Sequence, residues 1–230
     1  MRRTILLCVL LGVVVLGWLK WRGISSAKQE AAEPTTIKQP ATLTHRTFDA
    51  GNPPGDMPPL ASGENAACES NFLSNATVAG ESQQTDATHA NVTVTRITVT
   101  LQLNIAIWLP ADATQHVIEH EDGHRQISEH YYENADTLAK RIAAAYIGKQ
   151  VVITGTDLRA EMGNALQQMG TEITDEYNKE LNPEPTQLRY DAITDHSRNN
   201  VGAQDAVSQV LNEPAPTSTH SPVIPPNRTN

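Results

Sequence analysis

Residues 91–135 read NVTVTRITVTLQLNIAIWLP followed by ADATQHVIEHEDGHRQISEHYYENA. The first half alternates with a period of two. Ile97, Val99, Leu101, Leu103, Ile105, Ile107 and Leu109 share one side, and Thr98, Thr100, Gln102 and Asn104 share the other. That pattern predicts a half-buried strand, either one long strand or two bent ones, ended by Pro110. In the second half the period changes to that of a helix, predicted from about Thr114 to Tyr146, with Asp112 or Thr114 as cap and Gly148 as stop. Its apolar stripe runs through Val117, Ile127, Tyr131, Ala135, Leu138, Ile142 and Ala145. His120 and His124 fall on that stripe, so the helix turns both imidazoles toward the core.

Outward from this stretch the signals weaken. KQVVITG (149–155) predicts a short strand, and a second helix is expected from Asp157 to about Glu180, ended by Asn182-Pro183. TQLRYDAITDHSRN (186–199) reads as a loop or a short turn of helix. Upstream, a short strand is expected at Leu43–Phe48, and the rest of 42–90 is rich in Pro, Gly, Ser and Asn and reads as loop. Residues 23–41 read as a flexible linker, and 206–230 as a disordered, Pro-rich tail. The expected class is α+β, with one domain over 42–205 built from a small sheet packed on a long helix and a second helix.

At the N-terminus, Arg2 and Arg3 precede an apolar run from Ile5 to Leu19. Lys20, Trp21 and Arg22 stand where a cleaved leader needs small residues. Residues 1–22 therefore read as a signal anchor that holds the domain outside the cytoplasm, with secretion after cleavage as the alternative. The net charge is −9 and no basic block occurs, which argues against a nucleic-acid partner. Of the two cysteines, Cys8 lies in the apolar run, so Cys68 has no intrachain partner.

His120-Glu121-Asp122-Gly123-His124 fits H-E-x-x-H. Residues four apart on a helix lie one turn above each other, so both rings reach one ion. Zinc accepts neutral imidazole nitrogens and keeps an open position when three protein ligands bind it. Glu121 lies about 100° round the helix from His120 and reaches a water rather than the ion, the place of a general base. Two buried histidines one turn apart are hard to satisfy without a metal, because each ring nitrogen needs a partner. His130 stands where a longer pattern, H-E-x-x-H-x-x-G-x-x-H, has its last histidine. That pattern needs a helix-breaking Gly at position 127, which is Ile127 here. In an unbroken helix His130 sits about 80° from His120 and about 120° from His124, out of reach of a shared ion, and Glu129 projects about 180° away. The third ligand is left among Glu172 and Glu176 on the second helix and His196 in the later loop.

HEDGH, YDAITDHS (Tyr190 to Ser197) and the strand ending in WLP together resemble bacterial exported proteins of the zincin-like superfamily, the predicted secreted zinc-dependent proteases. The pattern is H-E-x-G-H followed by Y-D-x-x-T-x-H-G; Gly123 fits it, and Ser197 departs from its last Gly. The resemblance covers roughly residues 90–205. It implies a zincin-like fold, Zn2+, and His196 as third ligand ahead of Glu172 and Glu176. Tyr190 could stabilise an oxyanion, and Asp191 could orient a metal-bound histidine through its outer nitrogen.

The expectation is an extracytoplasmic zinc metallopeptidase anchored in a bacterial inner membrane, its domain on the periplasmic side. Glu121 activates water, and a peptide or protein substrate lies as a strand beside Asn91–Leu109. Two rivals remain at this point: an envelope protein that holds zinc without catalysis, and a zinc hydrolase acting on a cell-wall amide.

Overall fold

A computed structural model describes residues 32–60 and 63–212. The architecture is mixed α and β, a five-stranded sheet with helices against it. The strands are β1 (Thr35–Lys38), β2 (Thr42–Phe48), β3 (Ala67–Gln84), β4 (His89–Pro110) and β5 (Gln150–Thr154). The helices are α1 (Gln115–Glu133), α2 (Ala135–Ala144), α3 (Leu158–Leu181), α4 (Glu184–Thr194) and α5 (Ala203–Asn212).

Every other strand pairs with β4. Its 22 residues span about 70 Å at ~3.3 Å per residue. β3 runs antiparallel along one edge, from Ala67 opposite Trp108 to Gln84 opposite Ala90. The second edge is filled end to end by β5 at His89–Thr93, β1 at Thr98–Leu101 and β2 at Asn104–Pro110. The alternation read from the sequence is the observed burial: Ile97, Val99, Leu101, Leu103, Ile105 and Ile107 are at most 2% exposed. Upstream the buried residues are Ala90, Val92 and Val94, which have the opposite parity. The register shift at Ala79/Gly80 accounts for this. Ala79 faces Arg96 and Gly80 faces Val94, so Thr95 is an extra residue that resets the side-chain order. Gly80 is required there because a Cβ would lie 2.7 Å from the Thr93 carbonyl.

The buried side of the sheet packs on Tyr132, Ala135, Ala139, Ile142 and Ala143 of α1 and α2 and on Ile173, Tyr177 and Leu181 of α3. Each buried Ile or Leu among them contributes roughly 1.5–3 kcal/mol by leaving water. A second cluster joins Ile127 of α1 to Tyr190 of α4 and to Ala203, Ala206, Val207 and Val210 of α5.

Several boundaries differ from the sequence reading. The stretch 42–90 is not mostly loop, since β3 alone takes 18 residues of it. Of its inward positions Cys68, Ser70, Phe72, Ser74, Ala76 and Val78, only Phe72 and Val78 are strongly apolar, and pairing with β4 holds the strand more than its own hydrophobicity does. The linker 23–41 contains β1, extended by Gln39, whose N–H donates to the Leu101 carbonyl at 2.9 Å. The long helix is two, with Asn134 ending α1 and starting α2. At that break Lys38 donates to the carbonyls of Tyr132 (3.2 Å) and Glu133 (2.6 Å), a cation on the negative end of α1. Residues 186–194, read as loop or turn, belong to the eleven-residue helix α4. The tail begins later than 206, because α5 runs to Asn212.

Among the described residues no helix is long and apolar enough to cross a membrane. The expected anchor at 1–22 and the tail beyond 212 lie outside the described residues.

Candidate metal centre

α1 starts at Thr114, whose hydroxyl accepts from the Val117 N–H at 3.4 Å. Two turns on, it delivers His120 and His124. Their Nε2 atoms lie 3.2 Å apart. The Asp191 Oδ1 from α4 completes a triangle, 3.3 Å from His120 Nε2 and 2.9 Å from His124 Nε2. Donors about 2.1 Å from one tetrahedral ion sit roughly 3.4 Å from each other, so the three atoms suit a common cation. Among the described residues His120, His124 and Asp191 form a group able to hold a metal ion. Asp191 Oδ1 and His120 Nδ1 are sealed from solvent with no hydrogen-bond partner.

The tautomer of His124 follows from Gln187, a residue the sequence reading did not single out. Gln187 Nε2 donates to the His124 carbonyl (3.1 Å) and to Ser128 Oγ (3.0 Å). Its Oε1 must therefore face His124 Nδ1, at 2.6 Å, and accept its proton. Nε2 is left with a lone pair aimed at the shared point.

Tyr190 is not an oxyanion donor. It is fully buried behind the histidines, stacked on His120 at 5.0 Å and edge-on to His124 at 4.8 Å. Its hydroxyl donates to the His120 carbonyl at 3.0 Å. Gly123 makes room for it, since a Cβ there would overlap the Tyr190 hydroxyl and ring. The two motifs thus interlock, the small residue of one receiving the aromatic of the other.

A cavity of about 320 Å³ opens in front of the triangle, lined by Glu64, Cys68, Ser70, Glu121, Glu184 and Asp191 among others. Glu121 is 4% exposed. Burial, against the pull of His124 and reinforced by Glu64 and Asp191, lifts its carboxyl to about 7. Burial also lowers the proton affinity of His120 against Asp191. At His124 burial again opposes charge, but Asp191 with Glu121 and Gln187 outweighs it and raises the affinity. Asp191, despite its own burial, is held below the usual carboxylate range by the two histidines. Burial, with Glu121 nearby, pushes the Cys68 thiol up to about 12, so at neutral pH it is no nucleophile.

His196 does not join the triangle. Its Nδ1 lies 3.4 Å from Glu64 Oε1 and 3.7 Å from Asp191 Oδ1, and these three residues form a second group of donors. The place expected for His196 beside the two helix histidines is taken by Asp191. The resemblance implied His196; Asp191, within the last turn of α4, is the residue that faces the two helix histidines, and the αL residue Asp195 ends the helix before His196. Asp195, His196 and Ser197 all have positive φ, of 48°, 51° and 64°. The last is the position where the resembled pattern has Gly.

Glu172 and Glu176 are excluded by position. Both sit on the exposed side of α3, where Glu172 accepts from Gln168 and Glu176 from Tyr146. His116 contacts the Asn199 carbonyl at 2.9 Å, His130 is exposed, and Glu129 pairs with Arg125. The strand expected to receive substrate, β4, has both edges filled. Among the described residues the edge beside the cavity with no strand paired to it is that of β3, where Ala67, Cys68, Ser70 and Phe72 line the opening. Further along, α3 covers that edge: Thr174 accepts from the Ala76 N–H at 3.3 Å.

Searches of protein-family models, of curated proteins and of solved structures found no match to this chain.

Proposed function

We propose that this chain is a zinc-dependent metallopeptidase of the zincin-like kind, anchored outside the cytoplasm by its N-terminal segment. The observation that carries the reading is the triangle of His120 Nε2, His124 Nε2 and Asp191 Oδ1, with the buried Glu121 lining the same cavity. Two imidazoles and one carboxylate suit Zn2+ and leave a coordination position open. Asp191 stands as third ligand in this reading. A cation bound there polarises a substrate carbonyl and acidifies water.

The chain's own residues do the rest. Glu121 takes a proton from the attacking water and returns it to the leaving amine nitrogen. Gln187 keeps the His124 lone pair on the centre, and Tyr190 fixes the ring planes from behind. The substrate backbone pairs with the free edge of β3. Residues of the same parity as Ala76, among them Cys68, Ser70 and Phe72, direct their N–H and C=O groups to that edge.

The test compares wild type with Glu121→Gln for bound zinc and for hydrolysis of casein and a peptide library. Retained zinc with hydrolysis reduced about 10²–10⁴-fold supports the reading. Zinc-loaded wild type that cleaves no peptide defeats it, and cleavage of a cell-wall amide instead reassigns the substrate.

A further inference from the structure

The cavity in front of the triangle is lined by acidic side chains. Glu64, Glu121, Glu184 and Asp191 line it, and no Lys or Arg does. One of these carboxylates is a ligand of the centre and one is its base. Glu64 has neither role, and His196 is left outside the triangle beside it.

The distances around His196 are informative. An N–H···O hydrogen bond spans about 2.7–3.2 Å. His196 Nδ1 stands 3.4 Å from Glu64 Oε1 and 3.7 Å from Asp191 Oδ1. Both separations are too long for a hydrogen bond, and this nitrogen is sealed from solvent without a hydrogen-bond partner. Two donors about 2.1 Å from one cation at tetrahedral to trigonal angles are roughly 3.4–3.6 Å apart. The spacing is that of ligands around an ion.

We propose that Glu64, Asp191 and His196 bind a second divalent cation, with Asp191 shared between the two positions. The site then is a dinuclear centre in which one carboxylate joins ions about 3.5–4 Å apart. One nitrogen and two carboxylates suit Zn2+, Mn2+ or Co2+. Two of its three ligands, Glu64 and Asp191, line the cavity, so an ion held there would stand where a substrate oxygen could reach it. This inference rests on His120, His124 and Asp191 being a metal centre.

The experiment counts ions. The full chain is stripped with a chelator, saturated with Zn2+, passed through a desalting column and analysed for metal. Two ions per chain are expected for wild type and for Glu121→Gln, and one for Glu64→Gln. Loading with Mn2+ should give an exchange-coupled paramagnetic resonance signal in wild type that Glu64→Gln uncouples. Circular dichroism checks that the variant is folded, and His196→Gln repeats the test from the other ligand. One ion in saturated wild type overturns the second position and leaves the first intact; loss of that ion in His196→Gln then assigns His196 to the first centre. Two ions in both wild type and Glu64→Gln also overturn it. No bound ion defeats the first centre itself. The count is independent of hydrolysis, so failure of the peptidase reading is seen separately.

Discussion

His120 and His124 reach the centre from the middle of α1, in ordinary helix backbone. Asp191 also comes from helix, the last turn of α4, whereas His196 is brought beside the centre by the residues after α4, where three successive residues take positive φ. In the first case the spacing of one turn does the positioning, and any helix-forming sequence supplies it. In the second the chain is bent into place and held by its neighbours. The Asp195 carbonyl and carboxylate take the Arg198 guanidinium at 3.0 and 2.6 Å, and the His196 N–H returns to the Asp191 carbonyl at 3.2 Å. Non-glycine residues with positive φ cost about 1–2 kcal/mol each and persist where surrounding contacts enforce them. One half of the site is cheap and regular, and the other is strained and braced.

The contrast can be broken most severely where the halves meet. Gly123→Ala puts a Cβ into the Tyr190 hydroxyl and ring. Because α1 cannot shift without moving both histidines, we expect about 3 kcal/mol or more of destabilisation and loss of bound metal. Thermal melting and metal content check this, and an unchanged melting temperature would show that α4 yields easily.

A second effect depends on pH. The Glu121 carboxyl is lifted by burial to about 7 in the metal-free protein, above the ordinary value of about 4.3. A raised carboxyl pKa favours the protonated form. The metal-free protein therefore keeps its full stability below about pH 4 and loses some as pH rises through 7. Glu121→Gln removes that loss. It should stabilise the metal-free chain at pH 8 by up to about 3 kcal/mol, and hardly at all at pH 4. Denaturant titrations at the two pH values decide the point; equal effects at both would place Glu121 in water.

The smallest expected effect sharpens the comparison from the strained side. Ser197→Gly relieves the φ of 64° and should stabilise by about 1 kcal/mol, without changing metal content. A glycine in the middle of α1, such as Gln126→Gly, should cost about 1 kcal/mol instead. Opposite signs for the same residue type would measure the difference between the halves.

The sequence showed those parts of the molecule that obey a period. The β4 alternation, the H-E-x-x-H turn and α3 are legible because each places apolar or liganding residues at fixed intervals. Even the bulge is written there, in the change from Val92 and Val94 to Ile97 and Val99. α5 was equally readable: Ala203, Ala206, Val207 and Val210 recur at helical spacing, but a proline-rich end masked the signal. β3 was not readable, since its inward side carries Cys68, Ser70 and Ser74, and its order comes from a partner remote in sequence. Nor was Gln187, whose role depends on α4 lying against α1. At the centre, the types of residue were legible and their assignment was not. Asp191 points at the helix histidines because α4 lies against α1, and His196 is set apart from them by the three turned residues that follow that helix; neither is a matter of spacing in the sequence.

Thr95 has a consequence of a different kind. Downstream of it, and at Val94 just before it, β4 serves the main core, and at its start it serves a smaller one built from Ala90, Val92 and Ile153. The extra residue works like an odd link between two gears that must both mesh. Losing that single codon would leave every side chain chemically intact and turn one whole end of the strand inside out. For such a protein, in-frame deletions are the harsher lesions, and drift by substitution is the gentler path.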